Sequence, residues 1–542
     1  MARGRDNITS ESVAFAGFLW GLPQFLRQRM TYAEALAIIQ QRLREREVNF
    51  LSSIEHGVFG KRRSPYRVML ELAGCEFGDI RQLVKARGIE STLRALRDAG
   101  VYVSFEEFKG HIPIVRSGRV IDARQSDFDN PTHRHYYEVT TGGSSGTGRR
   151  VRVDLESMSA NLPMRVVSAR CHGIADTPTL RWVDIPPSIG LNTVLSDWVC
   201  GNPTARWFSA VRGGRDGTSS RFLWATRVAL GVGRLSGARL PWPEYLPLDQ
   251  AIVIAREARD LLRIHGRCQV RGSVSRMLRV AVAARSEGIN LTGAILHGGG
   301  EPPTPAKVNQ ITSTGARFLA SYHFTEAGAI GHGCTTSSDP NDQHVLKDHV
   351  AMIQAPRMVP GFDVEVQAFC FTTLLGTAPK LLLNVELDDY GIAETRSCGC
   401  PWEELGFTDH IRDIHSFRKL TGEGVTLVGT DMERILEEVL PARFGGTPLD
   451  YQLLEEEDAE GFTRLILLVS PSVTLADEQA PVETVLQAMH AIGAGGDTAR
   501  VKWRQAGSLR VRRESPRLTS RGKLMPLQLL RTAKPASIGS AT

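Results

Sequence analysis

The sequence is short of cysteine, of lysine, of single-sign charge and of long apolar runs, and each shortage closes off a class of protein. Eight cysteines in 542 residues fall far below the density of a disulfide scaffold. No charged start, apolar middle and small-residue cleavage site opens the chain, so the expected setting is cytoplasmic. The most apolar early stretch, Val13 to Leu22, is too short for a hydrocarbon core of about 30 Å and runs at once into Pro23. No membrane partner is expected. Lys+Arg number 65 against 59 Asp+Glu, a formal charge of +6 without a block of like charges, so nucleic acid is not the expected partner either. Only ten of the 65 cations are lysine, which makes each lysine stand out.

What remains is a soluble globular composition, 42% apolar and 23% charged. At roughly 100–200 residues per domain, the length predicts two or more domains. Residues 33–48 and 79–99 carry apolar side chains at three- and four-residue intervals and read as helices. The first hundred residues are therefore expected to be mainly helical. From about 150, strand-like runs such as Leu180–Ile185 alternate with amphipathic segments such as Leu248–His265, which predicts an α/β domain. After about residue 418 the pattern becomes strand–helix–strand–strand–helix–strand, a smaller α+β unit. The predicted organisation is a helical segment over 1–100, a large domain over 101–418, a small domain over 419–530 and a loose tail over 531–542.

Three constellations carry candidate chemistry. Thr140-Thr141-Gly142-Gly143-Ser144-Ser145-Gly146-Thr147 combines glycines, which let the backbone approach a ligand, with hydroxyls that donate hydrogen bonds. It suits phosphate oxygens, although a plain Gly/Ser linker would read the same way and the Gly-Lys-Ser/Thr ending of a Walker loop is absent. His297-Gly298-Gly299-Gly300-Glu301-Pro302 and Ser321-Tyr322-His323-Phe324-Thr325-Glu326 each follow an apolar run, so both are expected at strand ends, where open α/β sheets place ligands. A carboxylate there can hold magnesium together with phosphate oxygens. Asn384-Val385-Glu386-Leu387-Asp388-Asp389-Tyr390-Gly391 offers acids for ribose hydroxyls, or an ordinary Asp-Asp turn.

The order of these pieces, closed by Ser520-Arg521-Gly522-Lys523 near the C-terminus, resembles the adenylate-forming superfamily. Ser64-Pro65-Tyr66-Arg67, Phe108-Lys109-Gly110-His111-Ile112-Pro113 and Phe371-Thr372-Thr373 are similar to segments of its phenylacetate–CoA ligase branch. The resemblance covers roughly residues 60–530. It implies ATP-dependent activation of a carboxylic acid as an acyl-adenylate, then transfer to a thiol, with CoA as the foremost acceptor and a carrier protein or an amine as the alternative. It implies Thr140 to Gly148 on the ATP phosphates, Gly298, Gly299, Gly300, Glu301 and Pro302 along the adenine, and Tyr322 near the base. Thr325 would touch the α-phosphate, Glu326 would hold Mg2+, and Asp389, or Asp388 in the neighbouring register, would take the ribose with Arg412 or Arg418. Lys523 would bridge carboxylate and phosphate. The phosphate loop carries one residue more than the family pattern and lacks its proline.

Cys334, His344, Cys398 and Cys400 supply three thiolates and an imidazole, a good tetrahedral Zn2+ set, with Cys-x-Cys giving two ligands from one turn. The same branch often shows ligands at these positions. No open coordination site is left, so this zinc would be structural, and His332 is the substitute ligand. Trp182, Trp198, Trp207 and Trp224 are candidates for the wall of an apolar acyl pocket. The distant alternative is a non-catalytic, zinc-stabilised nucleic-acid-binding protein drawing on the Arg-rich 504–521 stretch. A homodimer is compatible with everything above.

Overall fold

The computed structural model describes residues 2–61, 63–131, 133, 135–140, 150–212, 220–358, 365–416, 419–422, 425–492, 494–517, 524 and 527–528. Twelve strands build one mixed sheet, in the spatial order Val350–Met358, Glu365–Thr373, Val385–Thr395, Asp409–Ser416, Gln343–Val345, Gly328–Gly333, Arg317–Phe324, Ala294–Gly299, Cys268–Ser273, Thr179–Trp182, Thr204–Ser209 and Pro243–Tyr245. The six from Arg317–Phe324 onwards pair in parallel. Parallel neighbours need a crossover between them. The helices Gly190–Val199, Ser220–Leu235, Ala251–His265, Val274–Ser286 and Pro305–Thr312 lie in those connections. The other strands pair antiparallel.

Local chemistry sets where strands hand over to helices. The Ser273 hydroxyl accepts from the amide of Arg276, so the Cys268–Ser273 strand passes directly into the next helix. Thr304 caps Pro305–Thr312 in the same way, with proline at the helix start. Asp154 caps Leu155–Cys171. These caps leave the C-terminal ends of the parallel strands open along one rim.

Apolar faces are buried on both sides of the sheet. The N-terminal helices cover the antiparallel half, where Phe50, Tyr66, Leu70 and Leu93 pack with Phe369, Phe371 and Val385. Leu180, Val270 and Leu296 face the helices Ala251–His265 and Val274–Ser286. On the opposite face, Phe18 and Leu22 of the Ala2–Arg27 helix join Leu162, Leu195 and Trp207. The predicted helix over 33–48 is two helices, Tyr32–Arg44 and Arg46–Ile54, and that over 79–99 is Phe77–Asp98 with a kink at Gly88, φ 76°. The apolar run Leu381–Leu383 is not a strand. The chain turns at Asn384, φ 50°, and the strand begins at Val385.

The small domain has a four-stranded sheet in the order Leu509–Arg513, Thr463–Val469, Tyr451–Glu457, Leu527–Gln528. Trp503, Tyr451, Leu467 and Val485 fill its core. It carries a helix absent from the sequence reading, Ala494–Ala506. Phe462 leaves the small domain to pack among the large domain's residues. Lys307 Nζ donates to Thr463 Oγ1 at 2.9 Å, Gln505 Nε2 donates to the Ala210 carbonyl at 3.1 Å, and Lys502 Nζ lies 2.6 Å from Asp184 Oδ2.

Asp184 also meets Arg276 at 2.7 Å, and all three groups are buried. Burial opposes the charge on Asp184, yet Arg276 and Lys502 hold its carboxyl well below the ordinary carboxylate range. Burial holds the Lys502 ammonium below its own usual value. A carboxyl depressed in the folded state contributes stability above its unfolded pKa of about 3.9, and that contribution is lost as pH falls through the folded value. Asp184→Asn leaves two buried cations without their counter-charge, so urea denaturation at pH 7 is expected to show a loss of about 3–5 kcal/mol. The deficit relative to the unaltered chain should shrink only below about pH 4, where the carboxyl of the unfolded chain begins to protonate while the native one stays ionised.

Candidate active site

A cavity of about 490 Å³ opens at the rim where the parallel strands end, and the small domain reaches into it. Gly298, Gly299, Gly300, Glu301 and Pro302 form one wall, and Tyr322, Thr325, Glu326 and Asp389 form another. Gly300 sits at φ 75°, a backbone setting that lets the chain turn sharply off the strand. A Cβ on Gly299 would lie 3.0 Å from the Ser321 carbonyl, so the neighbouring strand end is admitted only because the side chain is missing. Glu301 is held by the Ser275 hydroxyl, which donates to Oε1 at 2.6 Å.

The two acids of Asp388-Asp389 part company. Asp388 adopts φ 73° and is 1% exposed, away from the cavity lining, whereas Asp389 faces the cavity. The segment is an irregular strand and not a turn. Tyr322 Oη donates to Asp389 Oδ2 at 2.6 Å and Ser416 Oγ donates to Oδ1 at 2.6 Å. Burial and the Asp389 carboxylate push the Tyr322 phenol well above its ordinary pKa, so it remains a donor.

Arg412 is not among the residues lining the cavity. Its guanidinium meets Glu394 and Asp413, each at 3.4 Å. The neighbouring Asp413 adopts φ 51°, which breaks the strand's alternation and brings Ile414 and Ser416 to the cavity instead. Thr140 ends the Tyr136–Thr140 strand; Thr141, Gly142, Gly143, Ser144, Ser145, Gly146 and Thr147, together with Arg418 and Lys523, lie outside the described residues. Strands Tyr136–Thr140 and Arg150–Asp154 pair antiparallel and flank that loop.

Lys502 is the residue that sequence reasoning missed. It lines the cavity from the small domain, 4% exposed. The scarcity of lysine was the available signal, but the helix bearing it was not read. Of the four tryptophans expected in an acyl wall, only Trp182 lines the cavity. Trp207 and Trp198 donate to the Val183 and Leu26 carbonyls, and Trp224 is 64% exposed. In the Arg-rich stretch, Arg512 and Arg517 pair with Glu456, and Arg504 with Glu483.

A second centre lies beside the cavity. The donor atoms of Cys334, His344, Cys398 and Cys400 all fall within 4.8 Å of one another. Cys334 follows the Gly328–Gly333 strand, His344 sits on Gln343–Val345, and the Cys-x-Cys lies between Val385–Thr395 and Asp409–Ser416. His344 Nδ1 is 2.7 Å from the Phe407 carbonyl, which turns Nε2 towards Cys400 Sγ at 3.0 Å and Cys398 Sγ at 3.8 Å. The Glu403 carboxylate accepts from the Cys398 and Gly399 amides at 2.7 and 2.6 Å, fixing the turn. Burial opposes ionisation of Cys334, but contacts from His344 and Thr336 hold its thiol down at about 5. His332 stands apart, stacked on Trp402 at 5.7 Å.

The Tyr322–Asp389 bond ties the parallel half of the sheet to the antiparallel half. Tyr322→Phe removes a donor to a carboxylate, and a loss of about 1.5–3 kcal/mol is expected in urea denaturation; an unchanged midpoint would show that the bond holds nothing.

No protein-family model and no curated relative matches the chain. Among solved structures it is similar to a 2-hydroxyisobutyryl-CoA ligase in complex with 2-HIB-AMP and CoA, at 16% identity, 93% of this chain and 91% of that one, TM-score 0.49. An amide bond synthetase from Marinactinospora thermotolerans is 13% identical over 85% of this chain and 92% of its own, TM-score 0.39. An o-succinylbenzoate CoA synthetase from Bacillus subtilis, bound with a product analogue, is 10% identical over 72% and 68%, TM-score 0.39.

Proposed function

We infer that the protein activates a carboxylic acid with ATP, forming an acyl-adenylate and pyrophosphate, and then passes the acyl group to a thiol, with CoA as the favoured acceptor. The observation that carries the reading is the convergence of three segments distant in sequence, 298–302, 322–326 and 389, on one cavity. Their order along the chain matches the adenylate-forming pattern, and the flanks of the hydroxyl/glycine loop are a paired hairpin.

In the first half-reaction a carboxylate oxygen bonds to the α-phosphorus and the bond to the β-phosphate breaks. Two anions meet, so catalysis is largely positioning and charge neutralisation. Tyr322 fixes Asp389 for the ribose hydroxyls, Thr325 offers a hydroxyl to the α-phosphate, and Glu326 is the carboxylate for magnesium, which would offset phosphate charge. Lys523 supplies the cation that bridges the reacting carboxylate and phosphate. In the second half-reaction a thiolate sulfur bonds to the acyl carbon and AMP leaves.

The donor set at Cys334, His344, Cys398 and Cys400 fits a structural zinc. Ligand bonds of about 2.0–2.3 Å in a tetrahedron place donor atoms under about 4 Å apart, close to the spread observed. The oriented imidazole and the clamped Cys-x-Cys turn are the supports such a site needs.

Pyrophosphate release with ATP, magnesium and a panel of carboxylic acids tests the activity. Lys523→Ala is expected to slow acid-dependent release by about 10²–10³ with ATP binding retained; normal adenylation in that variant removes Lys523 from the mechanism. Metal analysis of the purified chain is expected to find one zinc, and Cys400→Ser to lose most of it and lower the unfolding temperature. Full metal content in Cys400→Ser would dismiss this ligand set.

A further inference from the structure

The inner end of the cavity is walled by arginine. Arg181 and Arg271 sit directly opposite each other on the paired strands Thr179–Trp182 and Cys268–Ser273, which run about 4.8 Å apart. Like charges in that relation repel. Arg165, on the Leu155–Cys171 helix that covers this face, adds a third guanidinium to the same lining.

One carboxylate answers the three. Asp197 is bidentate to Arg181, stands 3.7 Å from Arg165, and also takes the Thr204 hydroxyl at 2.8 Å. Among the described residues no hydrogen bond or ion pair joins Arg271 to a carboxylate. Of the other acids lining the cavity, Asp184 is engaged with Arg276 and Lys502, Asp389 with Tyr322 and Ser416, and Glu301 with Ser275, and Glu326 stands on the far wall with Thr325. Two imidazoles stand nearby in the lining, His297 beside Arg271 in the register and His323 on the strand beyond. Desolvation within the cavity that it lines, then Arg271 and Arg165, hold His323 at about 4, so it is neutral and can donate a single hydrogen bond. Burial and the neighbouring Arg181 also press the Arg271 guanidinium below its usual range.

An interior that stacks three guanidiniums against one carboxylate bears a cost that packing does not require, and such violations concentrate where a ligand completes the balance. We propose that this inner subsite binds a second anionic group on the substrate, so that the acid activated is dianionic, with one carboxylate at the adenylation end and another carboxylate or comparable oxyanion held by Arg165, Arg181 and Arg271. The proposal rests on the adenylation reading for what happens at the outer end, and on the arginine geometry alone for the inner end. Guanidinium forks suit a carboxylate because they offer paired donors in one plane.

The test compares matched acids, glutarate against valerate, adipate against hexanoate and phthalate against benzoate, by ATP–pyrophosphate exchange and by quenching of Trp182 fluorescence without ATP. The diacid of the preferred pair should exceed its monoacid at least tenfold in kcat/KM and in binding. Arg271→Met should cut that ratio at least tenfold and raise the unfolding temperature, because it removes an uncompensated cation. Arg165→Gln should cut the ratio less, and serves if the first variant fails to fold. Monoacids equal to or better than their diacids in both readouts, or a ratio untouched in both variants, overturns the proposal. Arg271-dependent diacid binding without exchange for any acid would uphold the subsite and sink the adenylation reading instead.

Discussion

The large sheet depends on a three-residue strand. Through Gln343–Val345 the four strands Val350–Met358, Glu365–Thr373, Val385–Thr395 and Asp409–Ser416 join the rest of the sheet, with three pairings to Gly331–Gly333 and two to His410 and Ile411. Five register pairs are little to keep two half-sheets in one orientation. The Cys334, His344, Cys398 and Cys400 cluster sits on that seam, drawing one donor from the end of the preceding strand, one from the short strand itself and two from the turn beyond. A metal held there would staple the strands that the ladder joins only briefly. The cavity inherits its shape from this arrangement, because its glycine wall belongs to the parallel half while Asp389, Ile414 and Ser416 belong to the antiparallel half.

Among the described residues, three carboxylates at the cavity sit in compensated sets. Asp389 is matched by two hydroxyl donors, Glu301 by one, and Asp184 by two cations. At the inner end the balance tips to positive, and the nearby imidazoles answer by staying neutral. Such a lining differs from the tryptophan-walled, apolar pocket that the sequence pattern predicts. On the dianion proposal such a wall would select by charge pairing, where a missing partner costs far more than a missing methylene.

The strand-end motifs were legible because their signals are local. An apolar run followed by Gly-Gly-Gly-Glu-Pro marks a strand leaving the sheet, and caps such as Ser273 and Thr304 are written in the same few residues. The gathering of Cys334, His344, Cys398 and Cys400 was legible from spacing and chemistry together. Which of Asp388 and Asp389 faces the cavity stayed ambiguous, as did the placing of Arg412, because Asp388 and Asp413 adopt left-handed backbone, and one such residue reverses which side of a strand the next side chain takes. Arg165, Arg181 and Arg271 could not be read as a group. They are joined only by strand register, and the chain holds so many arginines that no single one is informative. Lys502 was hidden by its helix, whose first turn, Ala494-Gly495-Gly496-Asp497, reads as a loop.

The contact of Lys502 with Asp184 also bears on how the small domain can move. Asp184 keeps Arg276 whether or not Lys502 is present, since both of those residues belong to the large domain. A rotation that withdraws the Ala494–Ala506 helix therefore leaves a neutral buried pair behind and returns the ammonium to water, where its hydration is restored. Had Asp184 only Lys502 for a partner, the same rotation would strand a lone carboxylate in the cavity floor, a step costing several kcal/mol. Two cations on one carboxylate thus make the domain contact both specific and separable. Phe462 works in the opposite sense, since its ring packs among the large domain's residues and pulling it out exposes apolar surface on both sides. That ring opposes separation, while Lys502 joins Lys307, Thr463 and Gln505 among the polar contacts of the docked arrangement.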